Sequence, residues 1–273
     1  MTTALTVRNL DKTFGPQEAS PVLSDVSFGV QRGEFLAIVG ASGCGKSTLL
    51  RLLAGLEQAT AGDILVNGRA LTGPGPERGM VFQRSTLFPW LTVWENMRFP
   101  RRLRRTLWAP TGDVSRSAQR SEALLQLMGL AGVRDRYPAH LSGGMQQRVN
   151  IARALVANPA VLLMDEPFGA LDAQTRETMH DLVFHLFARE ATTTVLVTHD
   201  VDEAVYLGDR VMVLAPNPGR VDALFDMPWG ESRTQDLRMD PEFIAMKRAI
   251  VERIRATTSV HTDHELLGRM TNP

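Results

Sequence analysis

Short apolar runs of strand length alternate with helical stretches along most of the chain. Unbroken apolar segments at residues 35–39 and 161–164 predict strands that are buried on both faces. Similar strand signals occur at 22–30, 63–66, 79–82, 193–197 and 210–214. Because strands that alternate with helices form mainly parallel sheets, the pattern predicts an α/β fold with helices on both faces of the sheet.

Two regions depart from this alternation. Residues 92–158 contain several helical stretches and no convincing strand, so we expect a helical insertion in the α/β core. From about Pro228 the pattern is looser, and an Asp-Pro pair opens a predicted amphipathic helix at 241–255. We therefore expect one domain at 1–230, which includes the insertion, and a C-terminal helical extension at 231–273.

Composition narrows the class of protein. The chain has 273 residues, 44% hydrophobic and 22% charged, which is typical of a globular protein and excludes disordered and fibrous classes. Its 30 basic and 30 acidic side chains argue against a general affinity for nucleic acid. A single cysteine excludes an internal disulfide, and no signal peptide or membrane-spanning apolar run is visible. We expect a cytosolic protein that reaches a membrane only through a partner.

The segment GASGCGKS at 40–47 matches the phosphate-binding loop pattern G-x-x-x-x-G-K-[ST], between a predicted buried strand and a predicted helix. Backbone N–H groups of such a loop surround a phosphate, Lys46 reaches the β- and γ-phosphate oxygens, and the Ser47 hydroxyl ligates Mg²⁺. A glycine-rich turn without a ligand is the alternative, but a chance match occurs in only about one protein in a hundred. The predicted ATP-binding residues here are Gly40, Ala41, Ser42, Gly43, Cys44, Gly45, Lys46, Ser47 and Thr48.

Cys44 lies in this loop, near a predicted helix N-terminus and beside Lys46. Both features lower the pKa of a thiol, so we expect a reactive cysteine. The alternative is a small buried side chain without chemical function.

A second signal is VLLMDE at 161–166, in which four apolar residues precede two carboxylates. A buried parallel strand that ends in acids delivers them to the sheet edge where ligands bind. We expect Asp165 to hold Mg²⁺ and Glu166 to orient or deprotonate the attacking water. A strand that ends in a solvated acidic turn is the alternative.

The third signal is LSGGM at 141–145, at the start of a long predicted helix. A serine and two glycines at a helix N-terminus form another anion site, which is redundant if one phosphate loop serves one nucleotide. The redundancy disappears if Ser142, Gly143 and Gly144 contact a nucleotide that a second copy of the chain holds.

With these motifs in this order, the chain resembles the ATP-binding subunit of an ATP-binding cassette (ABC) transporter over residues 5–225. The resemblance implies a P-loop NTPase fold with an N-terminal antiparallel β subdomain, and it implies roles for four further residues. Phe14 would stack on adenine, Gln83 would contact ATP and Mg²⁺, and Asp172 would lie in the loop after Glu166. His199 would contact the γ-phosphate. Phe14 as a hydrophobic staple and His199 as a structural histidine are the alternatives.

The resemblance also implies partners. These are a second copy of the chain, two membrane permease subunits and, indirectly, a periplasmic or lipoprotein solute-binding protein, with no nucleic acid. The protein would lie on the cytoplasmic face of the inner membrane. Segments at 88–96, 164–173, 216–221 and 240–243 are similar to importers of nitrate, sulfonates and taurine. The apolar segment 88–94 would meet the permease, or else it packs inside the insertion.

A non-transport ABC ATPase is the alternative function. One of the DNA-repair type needs a long heptad insertion or zinc-binding cysteines, and the chain shows neither of these. One of the translation type needs two cassettes, and the chain shows one. Arginines cluster at 98, 101, 102, 104 and 105, either as a solvated or partner-contacting face or as a site for nucleic acid or lipid. The transported solute is not determined by any of these motifs.

Overall fold

A computed structural model describes residues 2–15, 20–107, 114–230 and 233–258, with backbone only at 104–107 and 114–117. The strands are β1 Thr3–Lys12, β2 Leu23–Gln31, β3 Phe35–Gly40, β4 Ala61–Val66, β5 Arg69–Ala70, β6 Arg78–Val81, β7 Val161–Asp165, β8 Thr193–Val197, β9 Arg210–Ala215 and β10 Arg220–Asp226. The helices are α1 Lys46–Ala54, α2 Val93–Leu107, α3 Val114–Leu127, α4 Gly143–Val156, α5 Ala173–Glu190, α6 Val201–Leu207 and α7 Pro241–Thr257.

The strands form two sheets. A four-stranded antiparallel sheet has the order β2-β1-β4-β5, and a six-stranded sheet has the order β10-β9-β3-β8-β7-β6. Neighbouring strands from β9 through β6 pair in parallel, whereas β10 pairs antiparallel to β9 at one edge. The predicted α/β class, with its N-terminal antiparallel part, is confirmed.

Helices bury both faces of the larger sheet. Along β3, Ala37 and Val39 face one apolar cluster, which also contains residues of α4 and α5. Leu36 and Ile38 face a second cluster, which is formed with α1 and the antiparallel sheet. Because both faces are covered, the parallel strands consist of unbroken apolar runs instead of alternating ones.

The hydrophobic pattern of the sequence does not predict the edge strand β10. Its side chains are half-buried or exposed, so it lacks the apolar run that marks β3 and β7. Between β6 and β7 the described residues form α2, α3, α4 and short 3-10 turns, without a strand, as the pattern of 92–158 predicts. No helix among the described residues is both long and apolar enough to cross a membrane.

The predicted C-terminal helix is α7. Asp240 caps its N-terminus by accepting a hydrogen bond from the Glu242 N–H at 2.7 Å, and Pro241 occupies the first turn, where its missing N–H costs nothing. Its Phe243 and Ile250 side chains are buried against the main apolar cluster. Of the predicted extension, residues 231–232 and 259–273 lie outside the described part of the chain.

Arg233 connects this C-terminal segment to the core and was not identified from the sequence. Its side chain is 1% exposed and lies over the Phe184 ring at 4.7 Å. The guanidinium donates to Asp209 at 3.0 Å and to the backbone carbonyls of Tyr206, Gly208, Trp229 and Gly230. Burial lowers its pKa, but the five acceptors offset the desolvation cost of the charge.

We expect Arg233→Met to lower the free energy of unfolding by about 3–5 kcal/mol, because it leaves buried carbonyls and a carboxylate without their donor. Arg248→Met is the matched control, since Arg248 is 80% exposed and its ion pair is with the exposed Glu252 one turn away; its effect should stay within about 0.5 kcal/mol. Denaturant unfolding measures both. Equal stability of the two variants would contradict the inference.

Candidate active site

The segment that joins β3 to α1 forms an open anion-binding loop. Gly45 caps α1 with a left-handed backbone, φ 94°, and no capping side chain covers the N–H groups at the start of the helix, which is where anions bind. A Cβ at Gly45 would lie 2.7 Å from Leu23 Cδ2. Both the backbone angle and the lack of space therefore require glycine at this position.

The start of β2 and the turn between β9 and β10 pack against the phosphate loop. Leu23 is fully buried, and it forms a bridge with Gly219. Ser24 N–H donates to the Gly219 carbonyl, and Gly219 N–H donates to the Val22 carbonyl, both at 2.9 Å. A Cβ at Gly219 would lie 2.3 Å from the Cys44 carbonyl oxygen. Parts of both sheets thus meet directly beneath the loop.

Lys46 and Ser47, at the start of α1, each contact a neighbouring part of the site. The Lys46 ammonium is largely buried and donates to the Gly40 carbonyl at 2.8 Å and to the Ala41 carbonyl at 3.0 Å. The Ser47 hydroxyl donates to Oδ1 of Asp165, the last residue of β7, at 3.1 Å. Burial raises the pKa of Asp165, and the Ser47 hydrogen bond opposes that shift. An adjacent hydroxyl and carboxylate are ligands that Mg²⁺ accepts.

Three residues from distant parts of the sequence meet at one carboxylate oxygen. Gln83 Nε2 donates to Glu166 Oε2 at 2.9 Å, and His199 Nδ1 lies 3.1 Å from the same oxygen. Glu166 has a left-handed backbone, φ 44°, and its N–H donates to the Val197 carbonyl at 2.8 Å. The structure therefore brings together Gln83, Glu166 and His199, which the sequence predicts as site residues.

The turn that carries His199 contains a buried acid that sequence reasoning missed. Glu203 is 4% exposed, and its Oε2 accepts a hydrogen bond from the Thr198 hydroxyl at 2.9 Å. Burial raises the pKa of Glu203 to about 8, so the carboxyl is protonated at neutral pH. Its only sequence signal is an acid four residues after His199, which is equally typical of an exposed first helical turn.

The serine-glycine segment begins α4. Ser142 caps the helix by accepting a hydrogen bond from the Met145 N–H at 3.3 Å, and the Met145 side chain packs against the core. A Cβ at Gly144 would lie 3.4 Å from Leu171, so this helix start adjoins the loop of Asp172. Among the described residues, no hydrogen bond or ion pair joins Ser142 or Asp172 to the phosphate loop of the same chain.

Ser142, Gly143 and Asp172 are all exposed. Asp172 caps α5 by accepting a hydrogen bond from the Thr175 N–H at 3.0 Å, which lowers the pKa of its carboxyl. Phe14 is 47% exposed, with the Lys12 ammonium 4.4 Å from its ring centre. Phe14 is therefore not a core side chain.

The predicted partner segment divides into buried and exposed parts. Val93 is fully buried, and Trp94 is half-buried between the guanidinium groups of Arg98 and Arg134. Trp90 is 69% exposed, and its ring lies 5.5 Å from the Phe88 ring between centroids. The internal-packing interpretation holds for Val93 and Trp94 but not for Trp90.

The arginine cluster is not a uniform basic face. Arg101 donates to the Val156 carbonyl at 2.7 Å, which links α2 to α4. Arg98 lies over Trp94. The side chains of Arg104 and Arg105 lie outside the described part of the structure.

The prediction that Cys44 is reactive is wrong. Its side chain is 1% exposed, and burial raises the pKa of the thiol more than the neighbouring Lys46 lowers it. The helix and the cation identified from the sequence are present, but the sequence did not show how deeply the thiol is buried.

We expect Cys44 in the folded chain to resist a thiol-specific reagent, since the thiolate is both rare and inaccessible. Unfolding in denaturant should release one reactive thiol per chain, because Cys44 is the only cysteine. Titration with a chromogenic disulfide measures both states. Rapid labelling of the native protein, without loss of its circular dichroism, would contradict this expectation.

Comparisons with known proteins agree with this geometry. A family model described as ABC transporter matches residues 23–169. The nitrate import ATP-binding protein NrtD of Synechocystis is 41% identical over 95% of this chain and 98% of its own length. The taurine import ATP-binding protein TauB of Pelagibacter ubique is 41% identical over 96% of this chain and 97% of its own.

Solved structures give the same family. The dimeric ATP-binding cassette MJ0796, in a post-hydrolysis state with ADP and Pi, is 31% identical and superposes with a TM-score of 0.71. It covers 83% of this chain and 100% of its own. These matches support the transport hypothesis and not the DNA-repair or translation alternative. The chain belongs to the ABC transporter family and is an ATP-binding, ATP-hydrolysing subunit.

Proposed function

We propose that this ATPase powers import of a small solute of the nitrate, taurine or sulfonate type through a membrane permease. ATP binding closes a homodimer of the chain, and hydrolysis reopens it. The meeting of Gln83 and His199 at Glu166, with Ser142 exposed, is the observation that carries the proposal. Relatives named for import of nitrate, taurine and aliphatic sulfonates, each 41% identical, support the solute class.

ATP binds the loop at 40–48, where free N–H groups of α1 and the Lys46 ammonium face the phosphates. Phe14 stacks on the adenine with its exposed ring. Ser47, Asp165 and Gln83 supply oxygen ligands for Mg²⁺, which would neutralise charge on the phosphates when bound.

Glu166 orients the attacking water and accepts its proton. Gln83 and His199 both bind its Oε2, so they fix the orientation of the carboxylate. Because the carboxylate oxygen of Glu166 accepts a hydrogen bond from His199, Nδ1 of His199 must carry a proton. A protonated imidazole would donate from Nδ1 to Glu166 and from Nε2 to a γ-phosphate oxygen.

The second half of each site comes from another copy. Ser142, Gly143 and Gly144 begin a 14-residue helix whose exposed N-terminus suits a γ-phosphate. They adjoin the loop of Asp172 in their own chain, and together with Asp172 they close over the nucleotide that the partner holds. Two nucleotides then hold the dimer together, and hydrolysis removes part of that attraction.

Trp90 marks the permease surface, since a 69% exposed tryptophan is a typical interface anchor. The chain would sit on the cytoplasmic face of the membrane and contact two permease subunits. A solute-binding protein would deliver the solute on the opposite side, without touching this chain or any nucleic acid.

We expect Glu166→Gln to slow hydrolysis by about 10²-fold or more while ATP binding persists, since binding needs the loop and not the proton acceptor. ATP should then hold a stable dimer in size-exclusion chromatography, and ADP should not.

Ser142→Arg, added to Glu166→Gln, is the control. It places bulk and charge at the opposing γ-phosphate, so the dimer should disappear while each monomer still binds a fluorescent ATP analogue. A Glu166→Gln chain that stays monomeric with ATP would contradict the two-copy site.

Deleting the gene in its host should abolish uptake of one solute among isotopically labelled nitrate, taurine and ethanesulfonate. Wild-type chain should restore uptake, and Trp90→Ala should not, although its stability should change by less than about 0.5 kcal/mol. Leu224→Ala, at a 44% exposed apolar side chain on β10, is the matched control and should restore uptake. Normal uptake of all three solutes in the deletion strain would overturn the proposed solute class.

A further inference from the structure

Two cations of the C-terminal segment converge on one carboxylate beside the active site. Asp202 lies in the first turn of α6, three residues after His199. Its Oδ1 accepts a hydrogen bond from Lys247 Nζ at 2.8 Å, and its Oδ2 pairs with Arg238. The three side chains are 23%, 44% and 18% exposed, respectively, so Asp202 and Arg238 are largely withdrawn from solvent.

Arg238 is itself held in place by its surroundings. Its guanidinium lies over the Tyr206 ring at 4.4 Å, and its Nη2 lies 3.0 Å from His180 Nδ1. Burial and the nearby Arg238 lower the pKa of His180 to about 3, so this ring is neutral and accepts the hydrogen bond. Arg238 Nε donates to Gln235 Oε1 at 2.9 Å. These contacts give Arg238 a fixed position from which to hold Asp202.

In the turn between β8 and α6, a short series of hydrogen bonds connects Asp202 to the residues on either side of His199. The Asp202 N–H donates to Asp200 Oδ1 at 2.9 Å, and the Asp200 N–H donates to the Thr198 hydroxyl at 3.0 Å. The Thr198 hydroxyl in turn donates to Glu203 Oε2 at 2.9 Å. Residues 198–203 therefore form one hydrogen-bonded unit with His199 inside it.

His199 depends on this unit for its orientation. Its side chain is 69% exposed, so packing restricts it little, and its contact is the 3.1 Å approach to Glu166. We propose that Asp202, held by Arg238 and Lys247, is a positioning residue that sets the His199 turn for hydrolysis. The C-terminal segment is then part of the hydrolytic apparatus. The inference rests on the proposed role of His199.

A purely structural role predicts something different. The helix α7 has other attachments, namely the buried Phe243 and Ile250 and a two-point ion pair of Arg253 with Asp222, at 2.5 and 3.0 Å. Because Asp222 belongs to β10 and not to the His199 turn, Arg253 provides a matched control on the same helix. Loss of the Arg253 pair should loosen α7 without moving His199.

The test compares the steady-state ATPase of the full-length chain in Asp202→Ala, Arg238→Met, Lys247→Met and Arg253→Met. We expect the first two to lower kcat about threefold to tenfold with KM for ATP within about twofold of wild type. Lys247→Met should have a smaller effect of the same kind, because Lys247 is more exposed. Arg253→Met should keep the wild-type kcat. Arg238→Lys, which retains the charge, should recover part of the loss.

Double variants distinguish failure of this inference from failure of the proposed function. Adding Arg238→Met to His199→Ala should cause no further loss of kcat, because both act through one side chain. Unchanged kcat in His199→Ala alone would overturn the proposed role of His199. Inactive His199→Ala with wild-type kcat in Asp202→Ala and Arg238→Met would overturn only the positioning inference.

Two further outcomes would also overturn the positioning inference. One is an equal loss of kcat in Arg253→Met, which would mean that general docking of α7 is responsible. The other is a loss of kcat in Asp202→Ala or Arg238→Met that exactly follows a loss of folded protein by circular dichroism. If those two variants fail to fold, the milder Lys247→Met decides, through its kcat and KM at full helicity.

Discussion

The parallel register of three neighbouring strands determines the geometry of the whole site. Val197 of β8 lies opposite Ile38 of β3 on one side and Asp165 of β7 on the other. The three strands therefore end at one level of the sheet, where β3 leads to the phosphate loop, β7 to Glu166 and β8 to His199. A slip of one residue in either pairing would exchange the faces of every side chain in that strand and separate the three groups. Burial on both faces makes such a slip costly.

Much of this arrangement could be predicted because the relevant signals are local. The run at 35–39, the glycines after it and the helix that ends at Gly55 follow from short-range patterns, and they occur as β3, the loop and α1. The meeting of Glu166 with His199 follows from general sheet topology, which places strand ends at one edge. Gln83 came from family resemblance alone, since nothing in its local sequence distinguishes it.

The features that could not be predicted depend on tertiary burial. Cys44 has the helix and the lysine that lower a thiol pKa, but the packing around it reverses the result. Arg233 and Glu203 belong to types that are usually exposed, and their burial is decided by partners that are remote or not apparent in the sequence. The strand β10 is an edge strand with mixed exposure, so its pattern is weak. In each case the deciding information is which surfaces meet.

The seam beneath the phosphate loop links positions that are far apart in sequence. Leu23, Gly45 and Gly219 share one small space: a Cβ at either glycine would lie 2.7 Å from Leu23 Cδ2, and one at Gly219 would also lie 2.3 Å from the Cys44 carbonyl oxygen. Both positions therefore require glycine whatever the size of residue 23, because Gly45 has a left-handed backbone and backbone carbonyls close the space at Gly219. A smaller residue at 23 would leave both requirements in place and would remove a fully buried side chain from beneath the phosphate loop. A change in the antiparallel sheet at Leu23 would therefore reach the phosphate loop directly, so the sheet and the loop cannot vary in sequence independently of each other.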